Sequence, residues 1–196
     1  MRLYLMRHGE TDLNKEVRLQ GQVDYPLNEL GRQQAREAGV KMKKAALVFD
    51  RIYSSTLDRA IETAVLATGA ERDRIIKDER LMEIDYGPYD TVRLEDIGPE
   101  AFDFFRDPVH VLPPKGIESI QALSARVGSF LETLKTETRD LDNVLVVTHG
   151  VAMRAIFGCL LQQPGTAVWS MPIDNCELFY ADCDGTCYQA PVKMSL

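Results

Sequence analysis

A short apolar run in the last third of the chain sets the fold class. Residues 144–148 read Val-Leu-Val-Val-Thr, a mostly β-branched stretch that is apolar on both faces. Strands of this kind lie at the centre of parallel sheets that carry helices on both sides. Leu3 to Met6 is a second apolar run, and Arg51 to Ser54 is a weaker third. Together these runs predict a central, mostly parallel sheet.

Helical patterns alternate with the predicted strands, so the predicted fold is α/β with helices flanking the sheet. Apolar residues recur at intervals of three and four, as on one face of a helix. The four stripes are Leu30, Ala35, Ala38, Met42 and Ala45, then Leu57, Ala60, Ile61, Ala64 and Ala67, then Ile120, Leu123, Val127, Phe130, Leu131 and Leu134, then Ala152, Ile156 and Leu160. Ser55 with Asp58 resembles a capping box, and Ser119 is a predicted N-cap.

Two segments depart from this alternation. From about residue 85 to 118, prolines and aromatic residues interleave, which predicts an irregular insertion with one short helix. Such insertions often cover a site at the carboxyl ends of parallel strands. Near the C-terminus, Leu178 to Tyr180 and Tyr188 bracket Asp184-Gly185, which predicts an edge hairpin. With no repeat or linker in the chain, we expect residues 1–196 to form a single domain.

Composition and charge limit the classes of partner that the chain can be expected to bind. The net charge of −7 argues against a nucleic acid, whose phosphate backbone requires a clustered basic face. Leu3 to Met6 is too short for the apolar core of a signal peptide, and no apolar run is long enough to span a membrane. We therefore expect a cytoplasmic protein with a small-molecule partner and no membrane association. Oligomeric state is not readable from these features.

The cysteine pattern does not indicate a metal site. The four cysteines are Cys159, Cys176, Cys183 and Cys187, and their spacings match no zinc motif. We expect reduced thiols, with a local disulfide between Cys183 and Cys187 as the alternative, because the two flank a predicted turn. No metal ligand cluster and no cofactor are predicted.

Charged and imidazole side chains collect where predicted strands end. Arg7 and His8 follow the first strand directly, and His149 lies between the Val144 strand and the next helix. Arg59 falls in the first turn of the helix after Ser54-Ser55. The carboxyl ends of parallel strands are where open α/β sheets bind ligands, and a helix N-terminus favours an anion. These four residues are therefore predicted to converge on one site.

This set of side chains fits phosphoryl transfer. Arginine presents a rigid fork of donors to phosphate oxygens, and a neutral imidazole is nucleophilic. A phosphoryl transition state spreads negative charge over its equatorial oxygens, so a site without a metal needs fixed positive donors. Arg7, Arg59 and protonated His149 are candidates for that role. Glu83 is the candidate acid that protonates the leaving oxygen.

The same residues belong to a wider resemblance. Arg7-His8-Gly9-Glu10-Thr11 with Asn14, followed by blocks at Tyr53 to Ala64, Leu81 to Gly87, Gly116 to Ser119 and Val147 to Gly150, resembles the histidine phosphatase superfamily, the phosphoglycerate mutase-like proteins. The blocks keep the order of the family and cover most of the chain.

The resemblance implies roles for individual residues. His8 would be the nucleophile and form a phosphohistidine, and Glu83 would donate the proton and later activate water. The catalytic set is then His8, Glu83, His149, Arg7 and Arg59. The phosphoryl group would be bound by Arg7, His8, Asn14, Arg59, His149 and Gly150. The family needs no metal for this chemistry, and its fold is a mostly parallel sheet flanked by helices.

Departures from the family pattern favour a phosphatase. In true phosphoglycerate mutases the acid glutamate is followed by arginine and histidine, whereas Ile84 and Asp85 follow here, and the chain is too short for the longer mutase insertion. We therefore expect a metal-independent phosphomonoester phosphatase that acts on a small phosphorylated metabolite. A mutase and a catalytically weak phosphate-binding relative are the alternatives. Residues that select the leaving group are expected between Tyr86 and Glu118, among them Arg93, Arg106, His110 and Lys115.

Overall fold

The computed structural model describes residues 1–138, 143–162, 169 and 171–195. Its strands are β1 (Arg2–Arg7), β2 (Arg51–Ser54), β3 (Ile76–Lys77), β4 (Asn143–Thr148), β5 (Leu178–Asp182) and β6 (Val192–Lys193). They form one six-stranded sheet in the order β3-β2-β4-β1-β5-β6. The first four strands of this order run parallel, and β5 and β6 are antiparallel to their neighbours. The predicted mostly parallel α/β sheet is confirmed.

Helices cover both faces of the sheet. They are α1 (Asp12–Lys15), α2 (Glu29–Lys44), α3 (Asp58–Thr68), α4 (Pro99–Arg106), α5 (Ile120–Thr138) and α6 (Gly150–Leu161), with single 3₁₀ turns at Arg72–Arg74, Glu79–Leu81, Gly87–Tyr89 and Leu94–Asp96. Helices α2 and α3 pack on one face of the sheet, and α5 and α6 pack on the other.

Alternation along the central strands supplies both cores. Leu3 and Leu5 of β1 join the cluster formed with α5 and α6, whereas Tyr4 and Met6 join the cluster formed with α2 and α3. All four side chains are at most 2% exposed. Because successive side chains of a strand point to opposite faces, a strand buried on both sides must be apolar throughout. This explains the continuous apolar runs in the sequence.

The predicted helix stripes are confirmed apart from their ends. In the first stripe, Ala35, Ala38 and Met42 are buried, but Leu30 is 49% exposed and Ala45 is exposed beyond the helix end. Leu30 lies five residues before Ala35, which places it about 140° around the helix from the buried stripe. Gly31, which is buried, occupies the inward position instead.

Capping differs between the two predicted sites. The amide N of Ala122 donates to Ser119 Oγ at 3.1 Å, so the predicted cap of α5 is confirmed. The prediction of a capping box at Ser55 and Asp58 is wrong. Helix α3 has Leu57 at its N-cap with no side-chain cap, and Ser55 Oγ instead accepts from Leu57 N at 3.2 Å. The short strand β3 was not predicted, because its two residues carry no readable periodicity.

The 85–118 segment contains the single helix α4 and two 3₁₀ turns, as expected for an irregular insertion. It is fastened to the loop after α1 through Asp90, whose carboxylate accepts from Gly21 N at 2.8 Å and from Val23 N at 3.0 Å. Phe104 is buried, and the ring of Tyr86 packs edge-on against Phe105. The insertion therefore shares the core and is not a detached loop.

The predicted edge hairpin is confirmed, with a change in its second strand. β5 and β6 pair antiparallel at one edge of the sheet, and Tyr188 only forms an isolated bridge to Cys183. Asp184 Oδ1 accepts from the amides of Thr186 and Cys187, which closes the turn. All four cysteines are free thiols, with Cys183 buried and Cys187 exposed, so the reduced state applies here. In the described part of the chain, no helix combines the length and apolarity needed to cross a membrane.

A backbone contact between two glycines supports the loop after β1. A β-carbon on Gly31 would lie 2.1 Å from Glu10 O, and one on Gly9 would lie 2.4 Å from Gly31 O. We expect Gly31→Ala to lower the free energy of unfolding by about 1–3 kcal/mol, because backbone must move to admit the methyl group. Gly158→Ala is the matched control, since nothing lies within 4 Å of its β-carbon. Urea denaturation should show the control unchanged or up to about 1 kcal/mol more stable. Equal stabilities for the two variants would contradict the contact.

Candidate active site

Strand register brings the two predicted site histidines together. In the parallel pairing of β1 with β4, Arg7 lies opposite Thr148, so the next residues, His8 and His149, leave the sheet side by side. The amide of His8 extends the ladder by donating to Thr148 O at 2.9 Å. The two imidazole centroids are 5.1 Å apart. A site therefore forms at the carboxyl ends of the central strands, as the sequence predicted.

His8 is buried and fixed in one neutral form. Its Nδ1 lies 2.7 Å from Gly9 O, which can only accept, so Nδ1 carries the proton. The lone pair is then on Nε2. Burial, followed by the charges of Arg59 and Arg7, holds the pKa of His8 well below 6.5. At neutral pH the imidazole is therefore uncharged and has a free nucleophilic nitrogen.

His149 is fixed in the opposite tautomer. Its Nδ1 accepts from Arg59 Nε at 3.2 Å, so Nε2 carries the proton. Burial and then the neighbouring Arg59 charge hold the pKa of His149 well below 6.5. Among the described residues, His149 Nε2 has no hydrogen-bond partner although it is buried. An unpartnered buried donor is costly, and an anion in the site would satisfy it.

Arg59 is fully buried and is held by three groups. Besides His149, it donates to Val23 O at 3.0 Å and to Gly21 O at 2.6 Å. A guanidinium has five N–H groups, so two remain for a ligand. Burial lowers the pKa of Arg59 to about 10, and it is still cationic at neutral pH. A buried arginine without a bonded carboxylate among the described residues is a strong attractor for an anion.

Arg7 and Gly150 form the adjoining wall. Arg7 is anchored to Ile173 O at 2.6 Å, while its buried Nε has no partner among the described residues. A β-carbon on Gly150 would lie 3.5 Å from that Nε, so the first turn of α6 runs directly past the guanidinium. The positive dipole end of α6 therefore faces the same space, and Gly150 carries the one amide of its first turn that has no acceptor among the described residues.

Glu83 lies at the N-terminus of α6. Its Oε1 accepts from Ile84 N at 3.0 Å and Ala152 N at 2.9 Å, and its Oε2 accepts from Val151 N at 3.0 Å. The carboxylate thus caps the helix whose first residue borders Arg7. Oε1 has two donors and Oε2 only one, so Oε2 keeps the free lone pair. Glu83 lies within electrostatic range of the cluster, since its charge acts to raise the pKa of both Arg7 and Arg59 against the lowering effect of burial. Its role as the acid stays a prediction.

The contacts of Asn14 are those of a local helix cap. Its side-chain oxygen accepts from Thr11 N at 3.3 Å and lies 3.5 Å from Asn175 Nδ2, and Asn14 N donates to Thr11 Oγ1 at 3.2 Å. This is a capping box for α1. With the oxygen engaged, the amide NH₂ of Asn14 is the part left for a ligand. A role in phosphate binding stays a prediction.

Three positioning features were not predicted from the sequence. The first is Arg126 on α5, which donates to the carbonyls of Arg80, Met82 and Glu83 and pairs with Glu118 at 2.7 Å, so it fixes the backbone that carries Glu83. The apolar stripe of α5 predicts core packing, and nothing in that pattern indicates that one arginine of the helix reaches inward.

The segment 171–176 forms the second of these features. Its carbonyls accept from Arg7, at Ile173 O, and from Arg154 Nε, at Met171 O, 3.1 Å away. The Nδ2 of Asn175 donates to His8 O at 2.8 Å. Arg154 itself, with its NH1 3.8 Å from the β-carbon position of Gly150, is the third feature. The spacing of four residues between Gly150 and Arg154 is the only sequence signal for it.

The residues predicted to select the leaving group are spread along the insertion. Arg93 pairs with Glu95 at 3.5 Å, and His110 Nδ1 lies 2.9 Å from Asp107 Oδ1 at the surface. Neither contact reaches the cluster around His8. Within residues 1–138, 143–162, 169 and 171–195, no group of three or more His, Cys, Asp or Glu side chains is arranged to hold a metal ion.

Comparison with known proteins agrees with this geometry. Residues 3–191 match the model of the histidine phosphatase superfamily, branch 1. The chain belongs to this superfamily. It is 34% identical over 178 residues to phosphoserine phosphatase 1 of Hydrogenobacter thermophilus, covering 89% of this chain and 83% of that protein. It is also 34% identical over 189 residues to the probable phosphoglycerate mutase GpmB of Escherichia coli, covering 93% of this chain and 85% of that protein.

A solved structure extends the likeness to the whole fold. A mycobacterial glucosyl-3-phosphoglycerate phosphatase, solved in complex with VO3, superposes with a TM-score of 0.83 at 28% identity, covering 98% of this chain and 96% of that one. The present chain is thus a histidine phosphatase superfamily enzyme of the phosphatase or mutase type. Its relatives include phosphatases of small phosphorylated metabolites and probable mutases.

The buried neutral histidines make stability depend on pH. Because their folded pKa values lie below the unfolded value near 6.5, the unfolded chain binds more protons as the pH falls below 6.5. We expect the free energy of unfolding to fall below pH 6.5, by up to about 1.4 kcal/mol per pH unit for each histidine. Urea denaturation between pH 8 and 5.5 in phosphate-free buffer measures this. His149→Gln should reduce the slope of the unfolding free energy against pH, and His110→Gln should leave that slope unchanged. Identical slopes in all three proteins would refute the assignment.

Proposed function

We propose that this protein hydrolyses small phosphomonoesters through a phosphohistidine at His8, without a metal ion. The observation that carries the proposal is the fixed tautomer of His8, whose Nδ1–H is bonded to Gly9 O at 2.7 Å and leaves Nε2 as a free base. That nitrogen shares a buried space with Arg7, Arg59 and His149. A neutral nucleophile among fixed positive donors is what phosphoryl transfer requires.

The first step transfers the phosphoryl group. The lone pair of His8 Nε2 forms a bond to phosphorus as the bond from phosphorus to the leaving oxygen breaks. Glu83 enters this step as the neutral acid and gives its proton to that oxygen, so an alcohol leaves and Glu83 becomes a carboxylate. Oε2 is the oxygen for this role, because it accepts only one backbone amide, from Val151.

The second step releases phosphate. The Glu83 carboxylate takes a proton from water, the water oxygen bonds to phosphorus, and the phosphorus–nitrogen bond breaks to restore His8. The charge that develops on the three equatorial oxygens is met by donors already in place. These are Arg59 with two free N–H groups, Arg7 Nε, His149 Nε2–H and the N-terminus of α6. Because they are buried and anchored, little reorganisation accompanies the reaction.

The two residues after Glu83 favour hydrolysis over mutase activity. Ile84 is 1% exposed and packs in the core, and the side chain of Asp85 accepts from Gly87 N at 2.8 Å. Neither provides the cations that would retain a phosphorylated product for return transfer. A small phosphorylated metabolite is the proposed substrate, in line with relatives named for phosphoserine and phosphoglycerate. In this proposal residues 1–196 form one domain, and the 85–118 segment covers the leaving group.

Removal of the nucleophile tests the proposal. We expect wild-type protein to hydrolyse p-nitrophenyl phosphate in EDTA and His8→Ala to lose that activity, because the other imidazole at the site, His149, has its lone pair bonded to Arg59 Nε and cannot replace the nucleophile. His110→Ala is the matched control, since His110 is exposed and bonded to Asp107. An acid-labile phosphoprotein should form in wild type and in the control alone. Activity retained in His8→Ala, or lost in EDTA, would refute the mechanism.

The alternatives give different outcomes in the same assay. A mutase would show little hydrolysis but would convert a phosphorylated hydroxy acid once a bisphosphate primer is added. A binding relative would form no phosphoenzyme and would bind inorganic phosphate tightly.

The role of Glu83 predicts a dependence on the leaving group. Glu83→Gln should slow hydrolysis of an alkyl phosphate by about 10²–10⁴-fold, because an alkoxide leaves poorly without a proton. It should slow p-nitrophenyl phosphate far less, since that leaving group needs no acid. The comparison is made from kcat/KM for both substrates, with Glu95→Gln as an exposed control. Equal losses on the two substrates would exclude Glu83 as the acid.

A further inference from the structure

Arg154 is a partly buried arginine beside the proposed phosphoryl site that neither step of the proposed mechanism uses. The two guanidinium groups are close to the same atom position: a β-carbon placed on Gly150 would lie 3.8 Å from Arg154 NH1 and 3.7 Å from Arg7 Cζ. Two guanidinium groups therefore flank the first turn of α6. Burial lowers the pKa of Arg7, and the charge of Arg154 acts in the same direction, as expected for neighbouring like charges.

Helix geometry explains why Arg154 reaches this place. It lies four residues after Gly150, so both are on the same face of α6, one turn apart. Side chains of a helix lean toward its N-terminus, and a long one extends over the preceding turn. Because Gly150 has no side chain, nothing blocks the guanidinium on that turn.

Arg154 is anchored at one end and free at the other. Its Nε donates to Met171 O at 3.1 Å, which fixes the direction of the guanidinium. Among the described residues, the four remaining N–H groups have no hydrogen-bond partner, and no carboxylate pairs with Arg154. The anchored Nε with free NH1 and NH2 groups is the arrangement that binds a carboxylate with two parallel hydrogen bonds.

The proposed acid is bonded to the start of the helix that carries Arg154, because Glu83 accepts from Val151 N at 3.0 Å and from Ala152 N at 2.9 Å. Burial and then the charge of Glu83 raise the pKa of the Tyr86 hydroxyl, while the charges of Arg154 and Arg7 act in the opposite direction. Tyr86, at the start of the insertion, is thus within electrostatic range of both the proposed acid and Arg154. A group attached to the leaving oxygen would enter this space.

We propose that Arg154 binds a carboxylate on the leaving group, so that the substrate is a phosphomonoester of a small hydroxy or amino acid. This deepens the proposed function and rests on its placement of the phosphoryl group beside Arg7. One guanidinium then takes the phosphoryl oxygens and the other takes the carboxylate, across a short carbon linker.

The test compares O-phosphoserine with O-phosphoethanolamine, which differ only in the carboxylate. Binding is measured by calorimetry in the His8→Ala background, where neither compound turns over. We expect phosphoserine to bind about 10–100-fold more tightly, as for a charge-assisted pair. Adding Arg154→Gln should remove most of that ratio, and Arg154→Lys should keep part of it. Adding Arg36→Gln, an exposed arginine on α2, should preserve it.

Each outcome decides the inference separately from the proposed function. Equal affinity for the two compounds before substitution would overturn the carboxylate site. Equal weakening of both by Arg154→Gln would also overturn it, because the residue would then serve the phosphoryl pocket or the fold. Hydrolysis of p-nitrophenyl phosphate by the wild-type protein tests the proposed function by itself, since that substrate carries no carboxylate. Calorimetry therefore reports on Arg154 whether or not turnover is found.

Discussion

The in-register parallel pairing of β1 with β4 is the interaction on which the site depends. Arg7 lies opposite Thr148, and one further ladder bond joins His8 N to Thr148 O. A slip of one residue would turn each inward side chain to the opposite face and would separate the two imidazoles. Burial of alternate side chains in two different cores fixes the register, so the hydrophobic pattern that builds the sheet also aligns the chemistry.

The electrostatics of the site follow from burial. Three cationic or potentially cationic groups, Arg59, Arg7 and His149, lie in a space where desolvation penalises charge. The protein retains the arginine charges by bonding them to backbone carbonyls, which attract a cation without neutralising it. The histidines respond to the same surroundings by remaining neutral. One environment thus yields both the uncharged imidazole proposed as the nucleophile and the positive donors, and the difference lies only in the intrinsic basicity of the side chains.

Much of this could be read from the sequence because it depends on local patterns. Continuous apolar runs predicted the strands, and apolar residues at intervals of three and four predicted the helices. Residues at strand ends predicted the cluster around His8 and His149. The features that the sequence did not disclose depend on long-range contacts. Arg126 reaches across to the backbone of Glu83, and Asn175 reaches back to His8 O, 167 positions earlier. No periodicity marks either residue. The exposed Leu30 shows the opposite error, in which an apolar residue near a stripe was taken to belong to it.

Gly21 is a single residue that contacts both the insertion and Arg59 of the proposed phosphoryl site. Its N–H is held by Asp90 of the insertion and its carbonyl by Arg59, and a β-carbon there would lie 2.6 Å from Ile84 O. A single residue therefore joins the insertion, through Asp90, to the buried guanidinium of Arg59. A different insertion grafted onto this scaffold would have to supply an acceptor at the position of Asp90 to keep Arg59 in place. The contacts of Gly21 therefore constrain which insertions this scaffold can carry while Arg59 stays in place.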